Sequence, residues 1–242
     1  MLLLGKQEAY LVKADDRVLN VSSGIIKLKE LIGKDYGCII STHKGAKFVA
    51  VQPNLLDFLK KRMKRKPQVI NPKDIALVIA FTGIRSDSRV LEAGTGSGYA
   101  TLTLGVHCSR GKVYSYELRK DFYSSVKQNL ESIGLKNVEL FNKNVLEGVK
   151  QKNLDLVLLD MKDAESAVEL AYKTLKPGAF LVVYSPYIEQ VKAVTSEIAN
   201  YEFTGVFTVE NMLRVWDVGA HTLPQRSGIM HTGFLTFARK LW

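Results

Sequence analysis

Hydrophobic and polar positions change rhythm along the chain. Up to about residue 55 the apolar stretches are short and broken by turn residues: "AYLVKA", "RVLNV", "GIIKLKEL" and "GCIISTHKGAKFVAVQ". Such runs predict the strands of a small β domain over 1–55, with a hairpin turn at "THKGAKF" and Pro53-Asn54 closing the module. The opening "MLLLGK" is apolar for only four residues, too short for a signal peptide. Leu55 to Met63 has helical apolar spacing, but Pro67 and Pro72 interrupt it. Residues 56–73 therefore read as a basic helix and linker.

From residue 74 strand-like and helix-like runs alternate. "IALVIAFTGI" predicts a helix, "RVLEAG" a buried strand, "GYATLTLGVHC" a helix and "KVYSYE" a strand. "RKDFYSSVKQNLESIGL" is an amphipathic helix ended by Gly134. "VELFNKN", "LDLVLLD" and "AFLVVYS" continue the strands, with the helices "ESAVELAYKTL" and "YIEQVKAVTSEIANY" between and after the last two. The tail "FTGVFTVENMLRVWDV" and "HTGFLTFARKL" predicts two longer strands joined by a loop. Repeated strand–helix units imply an α/β domain over 74–242: a doubly wound, Rossmann-like parallel sheet with helices on both faces. The terminal hairpin would add antiparallel strands to one edge.

Composition adds a partner. Lys plus Arg number 34 against 24 Asp plus Glu, a net charge of +10 that favours a polyanion, nucleic acid first. Six of the seven residues 60–66 are cations: Lys60, Lys61, Arg62, Lys64, Arg65 and Lys66. They serve either as phosphate contacts or as a solvated helix face. The two cysteines, Cys38 and Cys108, follow no metal-ligand or disulfide pattern. This points to a reducing cytoplasm and to no metal. No apolar run approaches a membrane span in length.

The chemistry concentrates at "VLEAGTGSG", 90–98. Strand, glycine turn and helix form the first turn of a nucleotide-binding fold, where missing Cβ atoms let a ligand lie on the peptide plane. Tyr99 stands where a dinucleotide fingerprint needs glycine, and Glu92 would repel a pyrophosphate. A ligand carrying positive charge fits better, namely the amino-acid part of S-adenosylmethionine, while on its own G-x-G-x-G serves equally well as a structural turn. Glu117 ends the second strand, where a carboxylate can accept from a ribose diol; otherwise it is a solvated strand-end acid. Asn144 either reads an adenine edge or forms a turn. Asp160 ends the fourth strand, either as a site carboxylate or as a helix N-cap. Strand ends line the ligand crevice of such sheets, so Glu92, Glu117, Asn144 and Asp160 are all expected on one cleft.

"VLEAGTGSG", "YE" at 116–117, "LDLVLLD", "PKDIALVI" and "HTGFLTFARK" together resemble the tRNA (adenine-N1)-methyltransferase family, archaeal branch, over the whole chain. The resemblance implies a class I methyltransferase fold, a homotetramer, S-adenosylmethionine as donor, and N1 of a T-loop adenosine as acceptor, at tRNA position 58, with 57 as a further candidate. Carried over by position, Gly94, Thr95, Gly96, Ser97 and Gly98 would wrap the methionine part. Glu117 would hold the ribose, and Asp160 would be the active-site carboxylate beside the base. There are two departures from the family pattern. Asn71 precedes the PKD proline where many members carry Tyr, and the stretch from Asp160, "DMKDAESAV", lacks the prolines and Trp that often follow the fourth-strand Asp.

N1 of adenine carries its own lone pair, so the protein's task is alignment and charge stabilisation. N1 also lies on the pairing edge, so the base must be turned out to be reached. Tyr184, Tyr187 and Trp216 are candidates to stack on it, or are ordinary packing residues. Arg214 and Arg226 are candidate phosphate contacts, and His231 is a candidate donor or a turn cap. Two rival readings remain: a protein isoaspartate O-methyltransferase, whose glycine turn is similar, and a non-catalytic RNA-binding subunit that keeps the fold.

Overall fold

The computed structural model describes residues 1–62, 70–225 and 231–242, with the side chain of Arg62 left out. The chain forms two compact units, Met1–Arg65 and Lys66–Trp242. Lys64, Arg65, Lys66 and Arg226 lie outside the described residues.

The first unit contains β1 (Leu2–Leu4), β2 (Ala9–Leu11), β3 (Val18–Val21), β4 (Gly24–Lys27), β5 (Ile39–Ser41), β6 (Lys47–Val51) and α1 (Leu55–Arg62). A four-stranded antiparallel sheet runs β2-β1-β6-β5, and β3 and β4 form a separate hairpin. Leu3, Ile26, Leu31 and Phe48 fill the core. One strand is added and two local expectations change. The opening "LLL" is a strand, because it pairs with both β2 and β6 and so becomes internal to the sheet. The segment after β4 tightens into a 3-10 turn over Leu28–Leu31, which buries both of those leucines. Pro53-Asn54 does not close the module. Asn54 and Asp57 exchange backbone-to-side-chain hydrogen bonds at 2.9 Å, which starts α1, and α1 packs on β2.

The second unit contains α2 (Pro72–Thr82), β7 (Arg89–Ala93), α3 (Tyr99–His107), β8 (Lys112–Tyr116), α4 (Lys120–Ile133), β9 (Val138–Phe141), β10 (Leu154–Leu159), α5 (Val168–Thr174), β11 (Leu175–Ser185), α6 (Ile188–Ile198), β12 (Phe203–Glu210), β13 (Trp216–Asp217), β14 (Leu223–Pro224) and β15 (Phe234–Lys240). Seven strands lie in the order β12-β15-β11-β10-β7-β8-β9. Five are mutually parallel, and β15 and β12 add antiparallel at one edge. β11 begins at Leu175, so Lys176-Pro177-Gly178 lies within the strand, ahead of the apolar run "AFLVVYS". A register shift between Leu154 and Leu156 of β10 accommodates that entry.

Burial on both faces explains the continuous apolar strands. Val157 and Leu159 of β10 pack towards α5 and α6 with Val168, Ala171 and Val194. Leu156 and Leu158 pack towards α2 and α3 with Ile75, Val78 and Leu104. The chain builds β7, β8 and β9 outwards, then returns to lay β10 beside β7. The strand order reverses between β7 and β10, where open sheets leave a crevice at their carboxyl ends. No helix among the described residues is long and apolar enough to cross a membrane.

Candidate active site

A cavity of about 680 Å³ opens at that reversal, within the range that holds small ligands. Gly94, Gly96, Glu117, Asn144, Asp160, Tyr184 and Tyr187 line it, with Arg119, Phe122, Lys143 and Lys162. Seven residues read from the sequence are thereby brought together.

The glycines differ in what they exclude. A Cβ on Gly94 would lie 1.8 Å from the carbonyl oxygen of Asp160, and Asp160 N donates to Ala93 O at 2.8 Å. The neighbouring strand end, not a ligand, forbids a side chain there. Gly98 packs against Val126 of α4. Gly96 faces open space: the nearest atom to its Cβ position is Gly94 O at 3.9 Å, and its φ is +53°. Gly96 is therefore the position where bare backbone is left for a ligand.

The acids divide in the same way. Glu117 is held at both oxygens, by Gly96 N and by Arg119 N, each at 2.8 Å. Two backbone donors fix the carboxylate, and its remaining lone pairs are left to accept from a diol. Asn142, which the sequence reading passed over, fixes that strand end by donating to the carbonyls of Glu117 and Leu118. Glu92 does not reach the cleft, contrary to expectation. It is 1% exposed and accepts from Thr101 Oγ1 and Ser115 Oγ, both at 2.5 Å, beneath the turn. Along β7 successive side chains alternate faces, and this one points under α3. Thr95 also turns inward, with its Oγ1 2.6 Å from Ser115 Oγ. Ser97 Oγ is buried without a hydrogen-bond partner among the described residues.

Burial pushes the Glu92 carboxyl up to about 7, although Ser115 and Thr101 pull it down. Burial, with Glu92 and Glu117 nearby, pushes Asp160 up to about 8. Burial and Asp160 raise the Tyr184 phenol to about 12, so it stays neutral. A cation bound beside Asp160 would favour its ionised form.

The other expected residues scatter. Asn144 Oδ1 accepts from Leu146 N at 3.0 Å and so caps a turn while lining the cavity. Asn71 stands at the N-cap of α2, and its side chain does not bond to the helix. Tyr184 is 4% exposed, whereas Tyr187 at the mouth is 60% exposed. Trp216 and Arg214 do not line the cavity; the guanidinium sits 5.6 Å from the indole centroid. His231 Nδ1 is 2.5 Å from Glu210 Oε1 and its Nε2 is 3.1 Å from Pro186 O, and the Glu210 contact raises its pKa. Lys60 and Lys61 are exposed on α1. Among the described residues no cluster of three or more His, Cys, Asp or Glu suits a metal.

The residues fit S-adenosylmethionine on three structural grounds. Gly96 leaves an open cradle, Ser97 carries an unspent hydroxyl, and Glu117 is pre-set by two backbone donors.

The chain is similar to known methyltransferases. An archaeal relative from Methanocaldococcus jannaschii, the tRNA (adenine(57)-N(1)/adenine(58)-N(1))-methyltransferase TrmI, is 32% identical over 99% of this chain and 94% of its own. The solved structure of the tRNA (m1A58) methyltransferase TrmI from Aquifex aeolicus superposes with a TM-score of 0.82 at 28% identity, covering 100% of this chain and 96% of that one. A structure from Thermotoga maritima described as a SAM-dependent O-methyltransferase superposes with a TM-score of 0.89 at 28% identity, over 100% and 92%. The model of the tRNA methyltransferase complex GCD14 subunit family matches residues 48–230, and with that match and the archaeal relative the chain belongs to this tRNA methyltransferase family.

Proposed function

We propose that this protein transfers a methyl group from S-adenosylmethionine to N1 of adenosine in the T-loop of tRNA, at position 58 and also 57. The observation that carries the reading is the cavity at the β7/β10 reversal, lined by Asp160, Glu117 and the bare backbone of Gly96. The M. jannaschii relative acts at both adenosines by its name, and it matches nearly the full length of both chains.

When bound, S-adenosylmethionine supplies an electrophilic methyl whose sulfur takes back the bonding pair. Glu117 binds the ribose hydroxyls, and Ser97 and the Gly96 backbone hold the amino-acid part. Asp160, once ionised, accepts from the exocyclic amine of adenine and stabilises the positive charge that the base acquires. No general base is needed, because N1 attacks with a free lone pair. Tyr184 walls the cavity as a neutral ring, and Tyr187 at the mouth offers a face to the turned-out base. Lys143, Lys162 and the exposed Lys60 and Lys61 draw in the phosphate backbone. The site works in the cytoplasm, and the enzyme assembles as a homotetramer.

The Thermotoga structure favours a second reading, transfer to an oxygen. A hydroxyl acceptor must lose its proton, and this would make the raised Asp160 a base rather than a charge stabiliser. One experiment separates the two: unmodified tRNA transcript is incubated with methyl-labelled donor and digested to nucleosides. Label in N1-methyladenosine supports the proposal, and label in a 2′-O-methylnucleoside overturns it in favour of the second reading. Label transferred to isoaspartyl peptide but not to tRNA would point to a protein methyltransferase. Donor binding with no transfer to RNA would point to a non-catalytic subunit.

A further inference from the structure

Two motifs far apart in the chain, Pro72-Lys73-Asp74 and His231-Thr232-Gly233, meet in one buried cluster. Lys73 Nζ lies 2.6 Å from Asp74 Oδ1, with side chains 7% and 1% exposed. The ammonium also donates to Thr232 Oγ1 at 2.7 Å and to the carbonyl of Asn211. Its three protons are therefore all used. Thr232 Oγ1 donates onward to Asp74 Oδ2 at 2.9 Å, and Asn211 Nδ2 donates to Lys73 O at 2.8 Å. The cluster ties the start of α2 to the end of β12 and to the entry of β15.

Thr232 bonds in two directions. Its side chain closes the ionic cluster, and its carbonyl accepts from the Tyr184 hydroxyl. At the next residue, Gly233, a Cβ would lie 2.5 Å from Tyr184 Cζ and 2.7 Å from its oxygen. The phenol end of Tyr184 is thus wedged between a fixed carbonyl and bare backbone. The same ring lines the cavity with Asp160, whereas Lys73, Asp74, Asn211 and Thr232 do not. A buried ion pair is a weak source of net stability, since apolar replacements are often neutral or better. Its satisfied, directional bonds instead specify one arrangement of the groups they touch.

We propose that the buried Lys73–Asp74 pair is a positioning unit for methyl transfer: acting through Thr232, it sets the Tyr184 ring that walls the cavity beside Asp160. The inference rests on the reading of the cavity as the transfer site.

The test uses the full-length protein, tRNA transcript and S-adenosylmethionine. Thr232→Val keeps the shape and removes the hydroxyl. It should lower kcat roughly tenfold to a hundredfold, the usual cost of a small misplacement. KM for tRNA and donor affinity by calorimetry should stay within about twofold of wild type, since other residues hold both. Thr232→Ser should restore turnover, and Tyr184→Phe should reproduce the loss without adding to it in the double variant. Undiminished kcat in Thr232→Val, or a loss matched by equal loss of donor affinity and thermal stability, overturns the inference. If Thr232→Val does not fold, Tyr184→Phe alone decides, through the same split between kcat and donor affinity. Wild-type protein that binds donor but forms no N1-methyladenosine overturns the functional reading and this inference with it. Wild-type activity with an undisturbed Thr232→Val overturns this inference alone.

Discussion

Glycine appears three times in five residues at 94–98, and each copy meets a different neighbour. Gly94→Ala would drive a Cβ into the Asp160 carbonyl at a φ of +93°. This should cost roughly 2–5 kcal/mol in left-handed strain and overpacking, seen as a lowered denaturation midpoint. Gly96→Ala has room, so its fold should lose only about 1–2 kcal/mol of backbone strain, while donor binding by calorimetry disappears because the methyl fills the cradle. Equal stability losses in the two variants would contradict this division.

Asp160 carries a pH signature. Its carboxyl is raised to about 8 in the free protein, and the proposed role beside a cationic base needs it ionised. kcat/KM, which reports the free enzyme, should rise with pH to a shoulder near 8, and kcat should level off at lower pH because a bound cation favours the carboxylate. Asp160→Asn should lose the shoulder and most of the turnover while keeping donor affinity. Glu92 titrates in stability instead. Its folded pKa of about 7 exceeds the ordinary 4.5, so folding binds a proton. Its contribution is fully present below pH 4.5 and is lost as pH rises through 7. The loss is on the order of 3 kcal/mol, and Glu92→Gln should flatten the fall in melting temperature over that window.

At the scale of elements, the periodicity of residues 74–242 was legible because strands buried on both faces leave unbroken apolar runs and surface helices leave amphipathic ones. The start of α2 shows where such reading stops. "PKD" reads as a helix start, with Pro at the first position and an acid in the first turn. That its two charges are buried depends on Thr232 and Asn211, which lie 158 and 138 residues from their partners Asp74 and Lys73. Lys73→Met should leave Asp74 buried and unpaired. It should destabilise the protein by about 3–5 kcal/mol in denaturant unfolding, while Lys73→Met with Asp74→Leu should recover much of that loss.

For the whole molecule the excess of positive charge sets how the substrate is met. tRNA binding should weaken linearly on a log–log salt plot, and Lys60→Ala with Lys61→Ala should reduce the slope by roughly 1.5 if both contact phosphates. Both are exposed on α1, so thermal stability should not change. A flat salt response in filter binding would remove the basic segment from the interface.

The amino-acid sequence by itself determined the kinds and order of the main strands and helices of the second unit, the glycine turn and the acids near the strand ends. Each of these is written within a few neighbouring residues as spacing, side-chain volume or turn chemistry. It did not determine which of those acids meet. Glu92 lies near the end of β7 and Glu117 directly follows β8, yet the first is bonded to Thr101 and Ser115 under the turn and the second is clamped into the cavity. Gly94 needed to be glycine because β10 returns to lie beside β7. The Tyr184 hydroxyl bonds to the Thr232 carbonyl, almost fifty positions away. Strand order and buried hydrogen bonds join distant parts of the chain, and local pattern carries no record of distance across a sheet; only the folded structure decided them.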